Sequence, residues 1–220
     1  MKPKVAIVNF GMGNLFSVKQ ACEMVGLDAL ITYSGVEIMA ADAVILPGVG
    51  AFEAAMEVLR RMNLIDVLCK VHTSSKPLLG ICLGMQLLMS ESEEFGIHKG
   101  LNIIDGHVTR LPNFNDKKES IKVPHIGWNR IFFDESLSAG KSILNNLRNG
   151  EFMYFVHSYF VIPHAADIAI TYTDYCGIRY CSGIRKDNLM AFQFHPEKSG
   201  SCGIQIYKNF KEIILKERAQ

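Results

Sequence analysis

The sequence predicts a single α/β domain with a mostly parallel central sheet flanked by helices and an additional extended, antiparallel section in its second half. Three observations lead there. A length of 220 residues suits one domain, spanning 1–220. From Val5 to Met89, short apolar runs stopped by glycine or proline alternate with segments of helical spacing. After about Asn102, extended segments follow one another with few helical patterns between them.

Val5–Phe10 is an apolar run closed by Gly11 and Gly13, the pattern of a buried strand. Leu15, Val18, Cys22 and Val25 then fall on one helical face. Ala29–Tyr33 and Ala43–Leu46 are further strands, the second stopped by Pro47-Gly48. Phe52 to about Val71 has helical spacing with a break near Asn63. Leu78–Cys82 is another apolar strand, and Met85–Met89 begins a helix straight after Gly84. Ile103–Leu111, Val123–Phe133, Phe152–Ile162 and Ile168–Tyr175 are extended, while polar Phe114–Glu119 is an exposed loop. Gly183–Arg185 and Met190–Phe194 flank Lys186-Asp187-Asn188 as a hairpin. Gly203–Glu217 places Ile206, Phe210, Ile213 and Ile214 on one helical face, with Ser199 and Ser201 as caps.

Composition removes several classes of function. Hydrophobic residues at 49% against 20% charged allow a large core and argue against disorder. A formal charge of +1 gives no reason to expect nucleic acid or an anionic membrane as partner. No apolar run approaches the ~20 residues of a membrane span, and Met1–Phe10 reads as a first strand rather than a signal peptide. Six scattered cysteines make no disulfide framework, so free thiols in a reducing cytosol are expected. Cys176, Cys181 and Cys202 match no zinc spacing, so no metal is expected, and no cofactor either.

Three segments carry chemistry. In Gly80-Ile81-Cys82-Leu83-Gly84 a nucleophile is flanked two positions away by glycines, between an apolar strand and a helix. That is the spacing of a strand–turn–helix elbow, with the sulfur near a helix N-terminus that favours thiolate. A buried cysteine in a strand that ends at glycine has the same local look. Phe192-Gln193-Phe194-His195-Pro196-Glu197 offers a histidine base and a carboxylate two residues on to fix its tautomer. A histidine at a strand end beside a solvated glutamate is the plainer reading. Pro47-Gly48-Val49-Gly50-Ala51-Phe52 lets backbone N–H groups approach a ligand, or is simply a turn; no Gly-Lys-Ser/Thr follows to make it a nucleotide loop.

Taken together and in this order, the cysteine elbow, the His-Pro-Glu triplet and the Pro-Gly-Val-Gly loop resemble a class I glutamine amidotransferase. Asn9–Leu15, Val123–Asn129, Tyr154–Tyr159 and Phe192–Gly200 narrow the resemblance to the glutaminase subunits of imidazole glycerol phosphate synthase, over nearly the whole chain. The resemblance implies that Cys82 attacks the side-chain carboxamide of L-glutamine, that His195 protonates the departing ammonia, and that Glu197 orients His195. It implies oxyanion donors at Leu83 and in the Val49–Gly50 stretch, and a glutamine pocket at Gln86, Glu94, Ser158 and Tyr159. It also places Asn14, Trp128 and Lys198 near a partner surface, although Trp128 read alone is a packing residue. His125 and His157, in extended apolar segments, read first as hydrogen-bonded core histidines, with a catalytic role as the alternative.

Nothing in the chain supplies a second site that would use ammonia. The resemblance therefore implies a heterodimer with a (β/α)₈-barrel cyclase of histidine biosynthesis. One position departs from the family pattern: Asn9 stands where an aspartate is usual, leaving open a paralogous glutaminase that feeds a sugar-modifying synthetase. A cysteine hydrolase acting on peptides could run on the same Cys–His pair. A catalytically silent regulatory or scaffold subunit could keep the fold, but would be free to lose Cys82, His195 or Glu197.

Overall fold

Val5 through Val8 are fully buried, as an apolar run covered on both faces requires. They form most of β1 (Lys4–Val8), which pairs in parallel with β2 (Asp28–Thr32) and β3 (Ala43–Gly48). β3 pairs in parallel with β4 (Leu78–Cys82). The computed structural model describes residues 1–138 and 142–219; residues 139–141 and 220 of the expected domain lie outside the described residues.

The middle of the chain adds β5 (Met89–Ser92), β6 (His98–Lys99), β7 (Ile104–Arg110), β8 (His125–Arg130), β9 (Phe152–His157) and β10 (Tyr159–Pro163). β11 (Ala169–Tyr175), β12 (Ile178–Lys186) and β13 (Leu189–Phe192) follow. The main sheet runs β2-β1-β3-β4-β13-β12-β10-β7-β5-β6, with β11 paired to β12. From β2 to β13 it is parallel; β12 turns antiparallel, the expected second-half section. β8 and β9 form a separate antiparallel ribbon.

Helices α1 (Leu15–Met24), α2 (Gly35–Ala40), α3 (Phe52–Arg61), α4 (Ile65–Thr73), α5 (Leu83–Leu87) and α6 (Gly200–Glu217) cover the sheet. Alternate residues of β1 feed two apolar cores. Val5 and Ile7 join Val18 of α1 with Ile206 and Phe210 of α6. Ala6 and Val8 join residues of α2, α3, α4 and α5 on the other face.

Several expected boundaries shift, each for a physical reason. The helical run from Phe52 divides at Asn63, whose φ of +55° no α-helix accommodates. The helix expected to begin with Met85–Met89 starts earlier and is over by Leu87, occupying Leu83–Leu87, and Met89 opens a strand. Amides of Leu101, Ile103 and Ile104 take the carbonyls of Leu87 and Leu88, so the helix cannot continue. The extended run Phe152–Ile162 breaks at Ser158 into strands with different neighbours: β9 pairs with β8, and β10 with β7 and β12. Ser201 lies inside α6 rather than capping it. Ser199 holds the cap position without a capping bond, because its Oγ donates to the His195 carbonyl and accepts from the Tyr154 amide. Helix α2 has no counterpart in the sequence pattern beyond Ser34 and Glu37, which lie three residues apart at its start.

Candidate active site

β4 lies between β3 and β13, all parallel, so the loops leaving their C-terminal ends converge. Register places Gly48 beside Cys82, and Phe192 beside Ile81. The Pro47–Gly50 loop and the His195 segment therefore flank the cysteine, at the end of an open α/β sheet where ligands are commonly held.

Cys82 ends β4 with φ +54° and ψ −110°, a strained conformation for a residue bearing a side chain. The turn requires both glycines. A Cβ at Gly84 would stand 1.8 Å from the Leu46 carbonyl oxygen, and one at Gly80 would lie 2.9 Å from the Ala191 Cβ. The elbow is therefore present, but α5 after it spans only five residues, so its dipole gives the sulfur less help than the sequence suggested.

His195 follows β13 and precedes a 3₁₀ turn over Pro196–Lys198, its amide bonded to the Tyr154 carbonyl at 2.9 Å. The turn folds Glu197 back, so that Glu197 Oε1 meets His195 Nδ1 at 2.7 Å, with both side chains almost wholly buried. His195 Nε2 is buried without a hydrogen-bond partner. Burial by itself would lower the imidazole pKa. The charge of the Cys82 sulfur, reinforced by Glu197, outweighs burial and raises it to about 10. Cys82, His195 and Glu197 thus form one electrostatic unit.

Around them runs a buried polar network. Gln86 Nε2 donates to the Tyr159 carbonyl at 2.9 Å and to Gln193 Oε1 at 3.0 Å, and Gln193 Nε2 points at Cys82 Sγ at 3.6 Å. On the other side of Tyr159, His157 Nδ1 meets the same carbonyl at 2.9 Å. The Tyr180 hydroxyl lies 3.0 Å from both His157 Nε2 and His125 Nδ1. Burial holds His125 down to about 4 and His157 to about 3. Both are the hydrogen-bonded core histidines expected.

The remaining predicted residues occupy distinct places. Val49 and Gly50 are exposed in the loop beside Cys82, Gly50 at φ +109°, and Leu83 opens α5. Glu94 accepts from the Phe52 amide at 2.6 Å, capping α3, which has no capping side chain of its own. Its charge also raises the Tyr159 hydroxyl pKa, after burial. Ser158 and Tyr159 are half-buried at the start of β10. Asn14 caps α1 by accepting from the Ser17 amide at 3.4 Å. Trp128 is not packed away but 55% exposed, edge-on to Tyr154 at 6.1 Å, and Lys198 Nζ lies 5.8 Å from the same ring.

Residues 6–213 match the family model for glutamine amidotransferase class-I. The chain belongs to this family. Among similar proteins, imidazole glycerol phosphate synthase subunit HisH of Syntrophotalea carbinolica is 44% identical over 95% of this chain and 100% of its own. The same-named subunit of Aquifex aeolicus is 44% identical over 94% and 96%. Solved structures share the fold at low identity. PurLQS from Thermotoga maritima has a TM-score of 0.70 at 16% identity, covering 97% of this chain and 99% of that one. The glutaminase domain of Trypanosoma brucei CTPS with bound acivicin has 0.67 at 18%, covering 98% and 94%.

Two parts of this amidotransferase escape sequence reasoning. Gln193 carries no signal of its own within the Phe192–Glu197 segment, yet it reaches Cys82 across 111 residues of chain. Tyr180 joins the two buried histidines through its hydroxyl, and its place in β12 gives no local sign of that. Among the described residues no group of three or more His, Cys, Asp or Glu could hold a metal ion, and no helix is long and apolar enough to cross a membrane.

Proposed function

We propose that residues 1–220 form one glutamine amidotransferase domain that hydrolyses L-glutamine through a Cys82 thioester and passes the ammonia to a synthase partner. The observation that carries this is the buried His195–Glu197 pair, Nδ1 to Oε1 at 2.7 Å, whose charged imidazole is favoured by the charge of the Cys82 sulfur and by Glu197. The Cys82 thiolate attacks the carboxamide carbon, and the carbonyl electrons move onto oxygen. Backbone N–H groups of Leu83 and of the Val49–Gly50 stretch donate to that oxyanion, each donor contributing about 3–4 kcal/mol. His195 passes its Nε2 proton to the leaving nitrogen, ammonia departs and the thioester forms. Neutral His195 then takes a proton from water, whose oxygen attacks the thioester; collapse frees glutamate and restores the thiolate. Glu197 keeps the proton on Nδ1 throughout.

Glutamine is held by Gln86, Glu94, Ser158 and Tyr159. The amide hydrogens of Gln86 are already donated inward, which leaves its oxygen for the substrate. Exposed Trp128 and Lys198, both set against half-buried Tyr154, face the partner together with half-buried Asn14. The relatives named as imidazole glycerol phosphate synthase subunits favour a (β/α)₈-barrel cyclase of histidine biosynthesis in that role. Asn9 does not weigh against it. Its Oδ1 accepts from the Gly11 amide at 3.1 Å, a bond an aspartate would make equally well. Free thiols at all six cysteines fit a reducing cytosol.

The test is glutamate release from glutamine by wild type and Cys82→Ala, with and without the cyclase and its nucleotide substrate. Release that depends on Cys82 and rises with that partner is expected. Release indifferent to the cyclase would move the ammonia to another synthetase, and release that survives loss of Cys82 would refute the mechanism.

A further inference from the structure

Two polar groups outside the triad lie against Cys82 Sγ: the Val156 carbonyl at 3.9 Å and the Gln193 carboxamide nitrogen at 3.6 Å. We propose that Gln193 is a catalytic residue that stabilises the Cys82 thiolate by donating a hydrogen bond to it, in an orientation dictated through Gln86 by the Tyr159 carbonyl. The inference rests on Cys82 being the nucleophile.

The direction of the chain of bonds follows from its end. A backbone carbonyl can only accept, so the group of Gln86 that meets the Tyr159 carbonyl has to be its NH₂. The same nitrogen lies 3.0 Å from the Gln193 carboxamide, and its second hydrogen requires an oxygen there. Gln193 must therefore turn its own NH₂ the other way, towards the sulfur. Reversing Gln193 would set its NH₂ against that of Gln86 and its oxygen against the sulfur. Both contacts would be repulsive once the sulfur carries charge.

The interior makes this orientation costly to abandon. Gln193 is fully buried, Gln86 nearly so, and Cys82 is 5% exposed. A buried carboxamide is tolerated when its donors and acceptors are matched. Here both hydrogens of the Gln86 nitrogen are matched, one of them by the Gln193 oxygen, and the acceptor offered to the Gln193 nitrogen is Cys82 Sγ. The Val156 carbonyl accepts from a resting S–H but repels a thiolate. Gln193 is thus the neutral donor that favours the reactive form, and it does so without adding a second positive charge to compete with His195.

The experiment uses the full chain with Gln193→Met, which keeps length and loses the donor, and Gln193→Glu, which keeps shape and sets a carboxylate towards the sulfur. Alkylation by iodoacetamide is followed across pH on the Cys82 peptide by mass spectrometry, with exposed Cys176 as internal control. The expected midpoint for Cys82 rises by about one pH unit in Gln193→Met, as for loss of a hydrogen bond to a charged group. It rises further in Gln193→Glu, and Cys176 does not move. Glutaminase kcat falls about tenfold with KM little changed. A Cys82 midpoint equal to wild type in whichever of the two variants folds overturns the proposal. Absence of Cys82-dependent glutamate release by wild type would instead overturn the functional reading beneath it.

Discussion

Acid should destabilise this protein through His157. Its Nδ1 faces the Tyr159 carbonyl, so Nδ1 carries the hydrogen, and Nε2 accepts from the Tyr180 hydroxyl. The hydroxyl oxygen in turn accepts from His125 Nδ1. A proton added to His157 Nε2 would meet a hydroxyl already turned towards it. Burial, with the charges of His125 and His195 acting in the same sense, lowers His157 to about 3. Between there and the unfolded value near 6.5 the unfolded chain binds more protons than the folded one. The contribution is therefore complete above about pH 6.5 and is lost as pH falls towards 3.

At about pH 4.5 the unfolded histidine lies two units below its own pKa, while the folded one is still neutral. The loss from His157 is then roughly 2.5–3 kcal/mol, a large part of the 5–15 kcal/mol typical of a domain. His125, lowered to about 4, acts in the same direction. It lies buried and stacked on Tyr175. His195 does not add to the loss. Its pKa is raised, so its contribution is fully present below about 6.5 and is lost only as pH rises through about 10. Urea unfolding of wild type and His157→Gln at neutral pH and at about pH 4.5 measures the effect. The variant starts less stable, and its stability falls by about 2.5 kcal/mol less over the interval. Equal falls in the two proteins would refute the assignment of His157 as a neutral buried group.

Further outcomes follow from single contacts. Glu197→Gln removes the carboxylate that holds His195 Nδ1 at 2.7 Å, and glutaminase kcat should fall by about 10²–10⁴-fold, measured at saturating glutamine. Gly84→Ala would drive a Cβ into the Leu46 carbonyl at 1.8 Å and should cost about 3 kcal/mol or more, read from thermal melts. Asn209→Leu orphans the Ile143 and Asn145 carbonyls, which its amide now reaches at 2.8 and 2.7 Å. A loss of about 2–4 kcal/mol in denaturant unfolding is expected.

The strands that carry the site are legible in the sequence because each is an apolar run cut by a turn residue. Leu78–Cys82 has the same boundaries in sequence and structure, and Ala43–Leu46 differs from its strand by the Pro47-Gly48 that stops it. Helix α2 is hard to read because its six residues are too few for a periodic face, although Ser34 and Glu37 flag its start. The early end of α5 is invisible locally, since residues 101–104 take its carbonyls. The three catalytic candidates stand out by residue type and spacing. Gln193 does not, because its partner is set by the parallel register of β4 with β13, which no local pattern records. Glu94 shows the converse: its place on the α3 N-terminus gives it a structural bond whatever it does for substrate.

Three buried histidines in this region titrate in opposite directions, and the difference lies in what each one faces. His195 meets a carboxylate and a sulfur able to carry charge, and is raised; His157 and His125 meet a hydroxyl, a carbonyl and aromatic rings, and are lowered. The two behaviours depend on each other. The interaction by which the charge of His195 lowers His157 is mutual, so a proton on His157 would oppose the one His195 has to hold. Keeping His157 neutral therefore belongs to keeping His195 charged. The Tyr159 carbonyl enforces this from one atom, because it can only accept. It fixes the proton of His157 on Nδ1 and, through Gln86, turns the Gln193 NH₂ towards Cys82. Moving that carbonyl, at the junction of the β8–β9 ribbon with the main sheet, would disturb both groups at once.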